Sequence, residues 1–437
     1  MQKIRARRIT ACILPLALLI PPLATAGPAI EQWQSSAGSK VLFVAAPALP
    51  MIDLQLVCDA GSARDGDQQG VAMMTNELLF SGTTTLDADA IAAGFDDLGA
   101  QVGSSVGNDM AMVSLRSLSD ADHLQPALKL FTTVIGDASY PAADFERERN
   151  NLLIGLQQEK QNPGALARRA FFSAAYGDHP YATMASGTEQ SAATLQREQL
   201  LAFKQRYYSA ANCLMVMVGD LDQAKAEEIA NQVSEQLAVG DGAPALPAVE
   251  PSMGAVEKIA HPSQQTHVLI GQPVVRRGDP DHFALFLGNH VLGGSGLRSR
   301  ISQKIREERG LAYSAYSYFS PMRDAGPLVM GLQTRNDQAD EAAGLLRQEL
   351  EKFMADGPSD KELTAAKQNL TGGFPLRIDS NGKIIGYLAV IGFYDLPLDY
   401  LDSWTQRINA ISAEQIRDAY ARRVDPDRLV EIRVGGD

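Results

Sequence analysis

Basic residues are in short supply in this chain. Lys and Arg number 39 against 52 Asp and Glu, a net charge of −13 over 437 residues. General nucleic-acid binding needs basic surface to displace counterions, so that function class is excluded. Long apolar runs are missing except for one at the very start, which excludes a multi-span membrane protein. Histidine is sparse: the six are His123, His179, His261, His267, His282 and His290, and no two stand three or four apart, so no helical zinc pair is visible. His282 and His290 lie eight apart in an apolar stretch, where core packing is expected. Cysteine is rarer still, with three residues, Cys12, Cys58 and Cys213. What is present is enough apolar material for sizeable cores: 45% hydrophobic against 21% charged residues. At roughly 100–200 residues per domain, the length suggests two to four domains.

The single apolar run reads as an address. Lys3, Arg5, Arg7 and Arg8 form a basic start, Ile9 to Leu23 is mostly apolar, and Ala24-Thr25-Ala26 offers a small-residue cleavage site. Pro15, Pro21 and Pro22 argue against an uncleaved membrane anchor. Residues 1–26 are therefore expected to be a signal peptide, and the mature chain to be periplasmic, with no membrane contact after cleavage. Cleavage removes four basic and no acidic residues, taking the net charge from −13 to −17. Export permits a disulfide between the remaining cysteines, Cys58 and Cys213, but two buried free thiols are the expectation.

The mature chain divides at a Gly-, Pro- and Ala-rich stretch, VGDGAPALPAVEPS, from Val239. This places a first half at 27–238, a linker at 239–254 and a second half at 255–437. The halves echo each other. Glu198/Glu414, Gln199/Gln415, Arg206/Arg422, Val218/Val434 and Gly219/Gly435 pair at an offset of 216, and Asn151-Leu152/Asn369-Leu370 at 218. A shared offset points to an old duplication. Ile52, Leu54, Leu56 and Cys58 alternate as a half-buried strand should, as do Val113 and Leu115. Leu124, Ala127, Leu128, Phe131 and Val134 recur at helical spacing. Leu214 to Val218 is continuously apolar, as a strand covered on both faces would be. The predicted fold class is α+β: two homologous halves forming a clamshell, each with an antiparallel or mixed sheet carrying helices on one face.

Residues 70–83, GVAMMTNELLFSGT, resemble the metal-site helix of the pitrilysin-like zinc peptidases, the family of insulysin and the mitochondrial processing peptidases, where the segment reads G-[LIV]-A-H-x-x-E-H-[ML]-x-F-x-G-T. YGDHPYATMASGT (176–188) and LGGSGLRSRISQKIREERGLAYSAYS (292–317) also match, in the family's order. The ungapped alignment places Met73 and Glu77 where the two zinc-binding histidines belong, and Asn76 where the general base belongs. A thioether is a poor zinc ligand, and an amide cannot take a proton from metal-bound water. Counting back from Pro163 puts Gly155 at the family's third ligand position, with Glu148 and Glu159 nearby. The degenerate positions are thus Met73, Asn76, Glu77 and Gly155, and no cofactor is expected in this chain.

The second half keeps a working part. Gln303 to Glu308 is helix-prone, Gly310 is a helix stop, and Leu311 to Tyr318 alternates like a strand. In the family, an Arg and a Tyr at the places of Arg306 and Tyr313 face the zinc site from the opposite half and bind substrate; both can donate to a carbonyl oxygen gaining charge. The resemblance therefore implies the non-catalytic subunit of a heterodimeric zinc endopeptidase. Its expected partners are a zinc-bearing homologous chain and a peptide substrate, and no nucleic acid. A non-enzymatic peptide-binding or assembly scaffold of the same fold is the alternative, and a self-sufficient peptidase built around Glu77 a third. His179, Pro180 and Tyr181 either shape the chamber or form a structural turn. Arg300 is expected to orient the Gly-rich loop from Gly293 to Gly296, which lacks the context of a phosphate cradle.

Overall fold

The computed structural model describes residues 28–436; the expected signal peptide lies outside the described residues. Two mixed sheets organise the chain. The first is built from β1 (Glu31–Gln34), β2 (Lys40–Ala45), β3 (Met51–Cys58), β4 (Gln101–Val106), β5 (Ala111–Leu118) and β6 (Cys213–Gly219), in the order β1-β2-β6-β3-β5-β4. The second uses β7 (Ala255–Ile259), β8 (Gln265–Val275), β9 (Ala312–Phe319), β10 (Gly326–Arg335) and β11 (Val430–Val434), in the order β7-β11-β8-β10-β9. Setting β1 aside, the two orders superimpose strand for strand. Each contains one parallel pair, β2 with β6 and β7 with β11, in otherwise antiparallel ladders. Residues 239–254 between the halves carry no helix or strand.

The helix cover differs from the expected single face: both faces of each sheet are roofed. Side chains alternate across a strand, so neighbours enter different cores. Val41, Phe43, Met215 and Met217 pack with Phe131 and Ile229 of their own half. Leu42, Val44, Leu214, Val216 and Val218 pack instead into the core of the second half, with Ile385 and Leu388. These belong to the helix Asn381–Phe393, which crosses to the first sheet. The reciprocal helix, Pro163–Tyr176, leaves the first half and places Ala167 and Phe171 against Val329, Val430 and Ile432 of the second sheet. The two helices begin at 163 and 381, an offset of 218, the same as that of the repeated Asn-Leu pair. The halves are thus bound by exchange of equivalent elements.

A polar lock reinforces the exchange. Buried Asp109 accepts from the hydroxyls of Tyr181 (2.5 Å) and Tyr394 (2.8 Å) and from the backbone N–H of Arg323 (2.7 Å). One carboxylate so joins a loop of the first half to two segments of the second. Cys58 and Cys213 are register partners on β3 and β6 and form a disulfide, which corrects the expectation of free thiols. Both were read as strand residues, but only the β3–β6 pairing brings positions 155 apart in sequence face to face.

Candidate functional site

The helix Val71–Glu77 is held at its start by Asp65, whose two carboxylate oxygens accept from the N–H groups of Gly70 (2.7 Å) and Ala72 (2.9 Å). Such an acceptor satisfies donors that a helix N-terminus leaves open. Burial pushes the Asp65 carboxyl up to about 7, against the pull of those two donors. Sequence reasoning passed over Asp65; its place five residues before Gly70 was the available signal.

On this helix Met73 is half-buried and Glu77 exposed, while Asn76 is wholly buried. The Asn76 amide donates to the Tyr208 hydroxyl (2.9 Å) and, more weakly, to the Met112 carbonyl (3.3 Å). Asn76 is therefore a packing residue that ties the helix to its surroundings. The carboxyl end of Glu77 is raised above the usual range, first by partial desolvation and then by the like charge of Glu148. Glu148 therefore lies close enough to the degenerate ligand positions for its charge to be felt at Glu77. Glu148 and Gly155 lie on the helix Ala142–Glu159, seven residues and about 10 Å along the axis apart and so on one face, and Gly155 faces open space. Among the described residues, no three His, Cys, Asp or Glu side chains group as a metal site. A thioether and a pair of carboxylates, without an imidazole or a free base, do not fit a catalytic zinc ion.

The second half presents its residues outward. Arg300–Ser302 and a π turn, Gln303–Glu307, form one helical stretch with Ile301 and Ile305 fully buried. Gly310 ends it at φ 62°, a left-handed conformation that costs glycine little. The following strand, β9, is the sheet edge. Tyr313 has the same parity as buried Ala315 and Ser317, yet it is 84% exposed. A β-bulge explains this: Leu332 pairs with Ala315 and Thr334 with Ala312, so Tyr313 and Ser314 together oppose Gln333. Bulges of this kind re-aim side chains. The Arg306 guanidinium lies 4.6 Å from the centre of the Tyr313 ring. The helix-to-strand junction thus brings the two residues together, Arg306 half-buried and Tyr313 exposed, as one unit with N–H and O–H donors.

Several neighbours hold this unit in place. Arg300 binds Glu362 through two hydrogen bonds of 2.7 Å and also donates to the Gly357 carbonyl, so it staples the helix to the start of the next helical layer. This corrects its expected role at the Gly-rich loop. Within that loop Gly293 approaches β9 so closely that a Cβ would meet the Ser317 N and Oγ atoms within 2.4 Å. Asn289 and Ser317 exchange two hydrogen bonds across the same contact. His179 accepts from the Tyr181 N–H through Nδ1, and Tyr181 is buried in the polar lock, so this segment is a structural turn. His282 and His290 line different cavities and form no pair. Sequence reasoning missed a cavity of about 500 Å3 between the crossing helix Pro163–Tyr176 and the second sheet, lined by Arg168, Phe172, Tyr316 and Tyr318. The rings of Tyr316 and Tyr318 stack at 6.0 Å.

The sequence matches two family models in tandem: the insulinase (peptidase family M16) model over residues 40–189 and the peptidase M16 inactive domain model over residues 194–370. Among solved structures, a peptidase M16 inactive domain from Pseudomonas fluorescens is 39% identical with a TM-score of 0.91, covering 93% of this chain and 98% of that one. The periplasmic protease PqqL from Escherichia coli shares the fold at a TM-score of 0.78 and 17% identity; the match covers all of this chain and 49% of that protein. An uncharacterised zinc protease of Bacillus subtilis is 23% identical over 394 residues, 89% of this chain and 94% of the relative. Two-sheet architecture, tandem matches and a 39% identical relative spanned almost end to end agree: this chain belongs to peptidase family M16, the pitrilysin-like family, and is of its inactive type.

Proposed function

We propose that this chain is the non-catalytic subunit of a periplasmic heterodimeric zinc endopeptidase. A homologous partner would carry the zinc ion and the water it activates. This chain contributes Arg306 and Tyr313. Their donors bind the carbonyl oxygen of the scissile peptide and stabilise the charge that develops on it. The peptide lies extended along a sheet edge, such as the free edge of β9, where main-chain hydrogen bonds hold it. The observation that carries this reading is Tyr313, turned outward by a bulge and coupled to Arg306 although nothing in its own half uses it. The misfit of Met73, Asn76 and Glu77 to zinc supports a division of labour. Export is supported by the basic-apolar-small pattern of residues 1–26 and by the Cys58–Cys213 disulfide, which persists in oxidising compartments.

Co-expression with a zinc-motif homologue tests the proposal. A stable complex should form and cleave peptides, and Arg306→Ala should lower kcat/KM by about a hundredfold to a thousandfold, the usual cost of one oxyanion donor. Tyr313→Phe should cost less, since Arg306 remains. Unchanged rates in both variants would leave the chain as a scaffold. Chelator-sensitive cleavage by the purified chain alone would overturn the inactive-subunit reading.

A further inference from the structure

The second half contains a polar cavity of about 420 Å3 between the turn after β8 and the segment Tyr394–Tyr400. Arg276, Arg277, Arg323 and Arg407 line it. The two acids in its wall are engaged elsewhere: Asp279 accepts from Arg423 at 2.9 Å, and Asp395 pairs with Lys40. Arg323 shares Asp59 with Arg64, and Arg407 has only Asp399, at 3.7 Å. Arg276 and Arg277 have no carboxylate within 4.0 Å among the described residues. The Nε atoms of Arg277 and Arg323 are buried and find no acceptor. A buried guanidinium N–H without an acceptor is costly, and two at one cavity call for an anion.

The guanidinium groups stand over aromatic rings around the cavity. Arg277 lies 5.7 Å from the ring of Tyr394, and Arg407 lies 5.6 Å from that of Phe283. The Tyr394 phenol feels the charge of both Arg277 and Arg323, and the Tyr400 phenol that of Arg277 and Arg407. A second cavity of about 550 Å3 shares Arg277 and Tyr400 with the first, and Leu376, Tyr387 and Val390 give it an apolar wall. Both volumes fall in the range of small-ligand sites.

We propose that the two cavities together bind a phosphate monoester. The dianion sits among Arg277, Arg323 and Arg407, and the organic group lies against Leu376, Tyr387 and Val390. A phosphate suits the site better than a carboxylate because its several oxygens can accept from more than one planar guanidinium at once. Nothing in this assignment depends on the peptidase reading.

Calorimetric titration of the full mature chain at constant ionic strength, with inorganic phosphate and phenyl phosphate as probes, tests it. Phenyl phosphate should bind about tenfold tighter than inorganic phosphate, reflecting burial of its ring. Arg277→Gln should weaken both by at least about tenfold. Arg407→Gln, at a half-exposed position among the residues given to the dianion, supplies a second variant should Arg277→Gln fail to fold, and should weaken both probes by a smaller factor. Absence of binding at millimolar concentrations, or affinity unchanged in the variant that folds, overturns the site. Phenyl phosphate binding no tighter than inorganic phosphate overturns the role given to the apolar cavity.

Discussion

The helix Val71–Glu77 and the helix-to-strand junction from Arg300 to Phe319 sit in two halves built to the same strand order, and they treat their key residues in opposite ways. In the first half Asn76 is turned inward and hydrogen-bonded to Tyr208, so a position aligned with a catalytic base serves packing. In the second, a bulge turns Tyr313 out of the sheet and Arg306 covers it. Duplication preserves the scaffold, while local hydrogen bonding and strand register decide whether a side chain meets solvent or core. A half can therefore lose its chemistry without losing its fold.

The comparison can be strained first through what the halves share. Phe171 is 1% exposed at the centre of one crossing helix. Phe171→Ala should destabilise the whole chain by about 3–5 kcal/mol, with a single unfolding transition in denaturant. Two separate transitions would show that the halves are independent. Arg306→Ala should change stability by less than about 0.5 kcal/mol, because it removes no buried contact, in contrast to its expected effect on the complex.

A graft sharpens the contrast at the metal position. Met73→His with Glu77→His, beside native Glu148, should bind one zinc ion per chain, and adding Glu148→Gln should weaken that binding. Gly155→Glu in place of native Glu148 should not restore it. Metal content after dialysis reads each case, and retention of zinc without Glu148 would place the third ligand elsewhere.

The last test concerns pH and Asp65. Its folded value of about 7 lies above the ordinary 3.8, so between those values the folded chain keeps a proton that the unfolded chain has released. Its contribution to stability is full below about 3.8 and is lost as pH rises through about 7. Asp65→Asn should flatten that part of the dependence of Tm on pH.

Much of the scaffold was legible in the sequence. Alternation marked β3 and β5, the unbroken apolar run marked β6, and the repeat offset anticipated the matching sheets. The crossing helices were not legible, because local periodicity shows that Phe171 or Leu388 will be buried but not against which sheet. The disulfide was hidden for a related reason: it depends on the pairing of β3 with β6. Arg306 and Tyr313 were singled out through their resemblance to the family motif, and the structure brings the two side chains together. The exposure of Tyr313 depends on a bulge that alternation alone would misread, and the influence of Glu148 on Glu77 depends on how two helices pack, which spacing does not show.

The helix exchange has a consequence for how the chain is made. The face formed by Leu42, Val44, Leu214, Val216 and Val218 has no cover until the helix ending at Phe393 has been synthesised. For nearly half of translation, a broad apolar surface would lie bare if the first sheet closed early. The cover arrives only with the last eighth of the chain, and a truncation anywhere before that helix is expected to leave a sticky fragment and not a smaller domain.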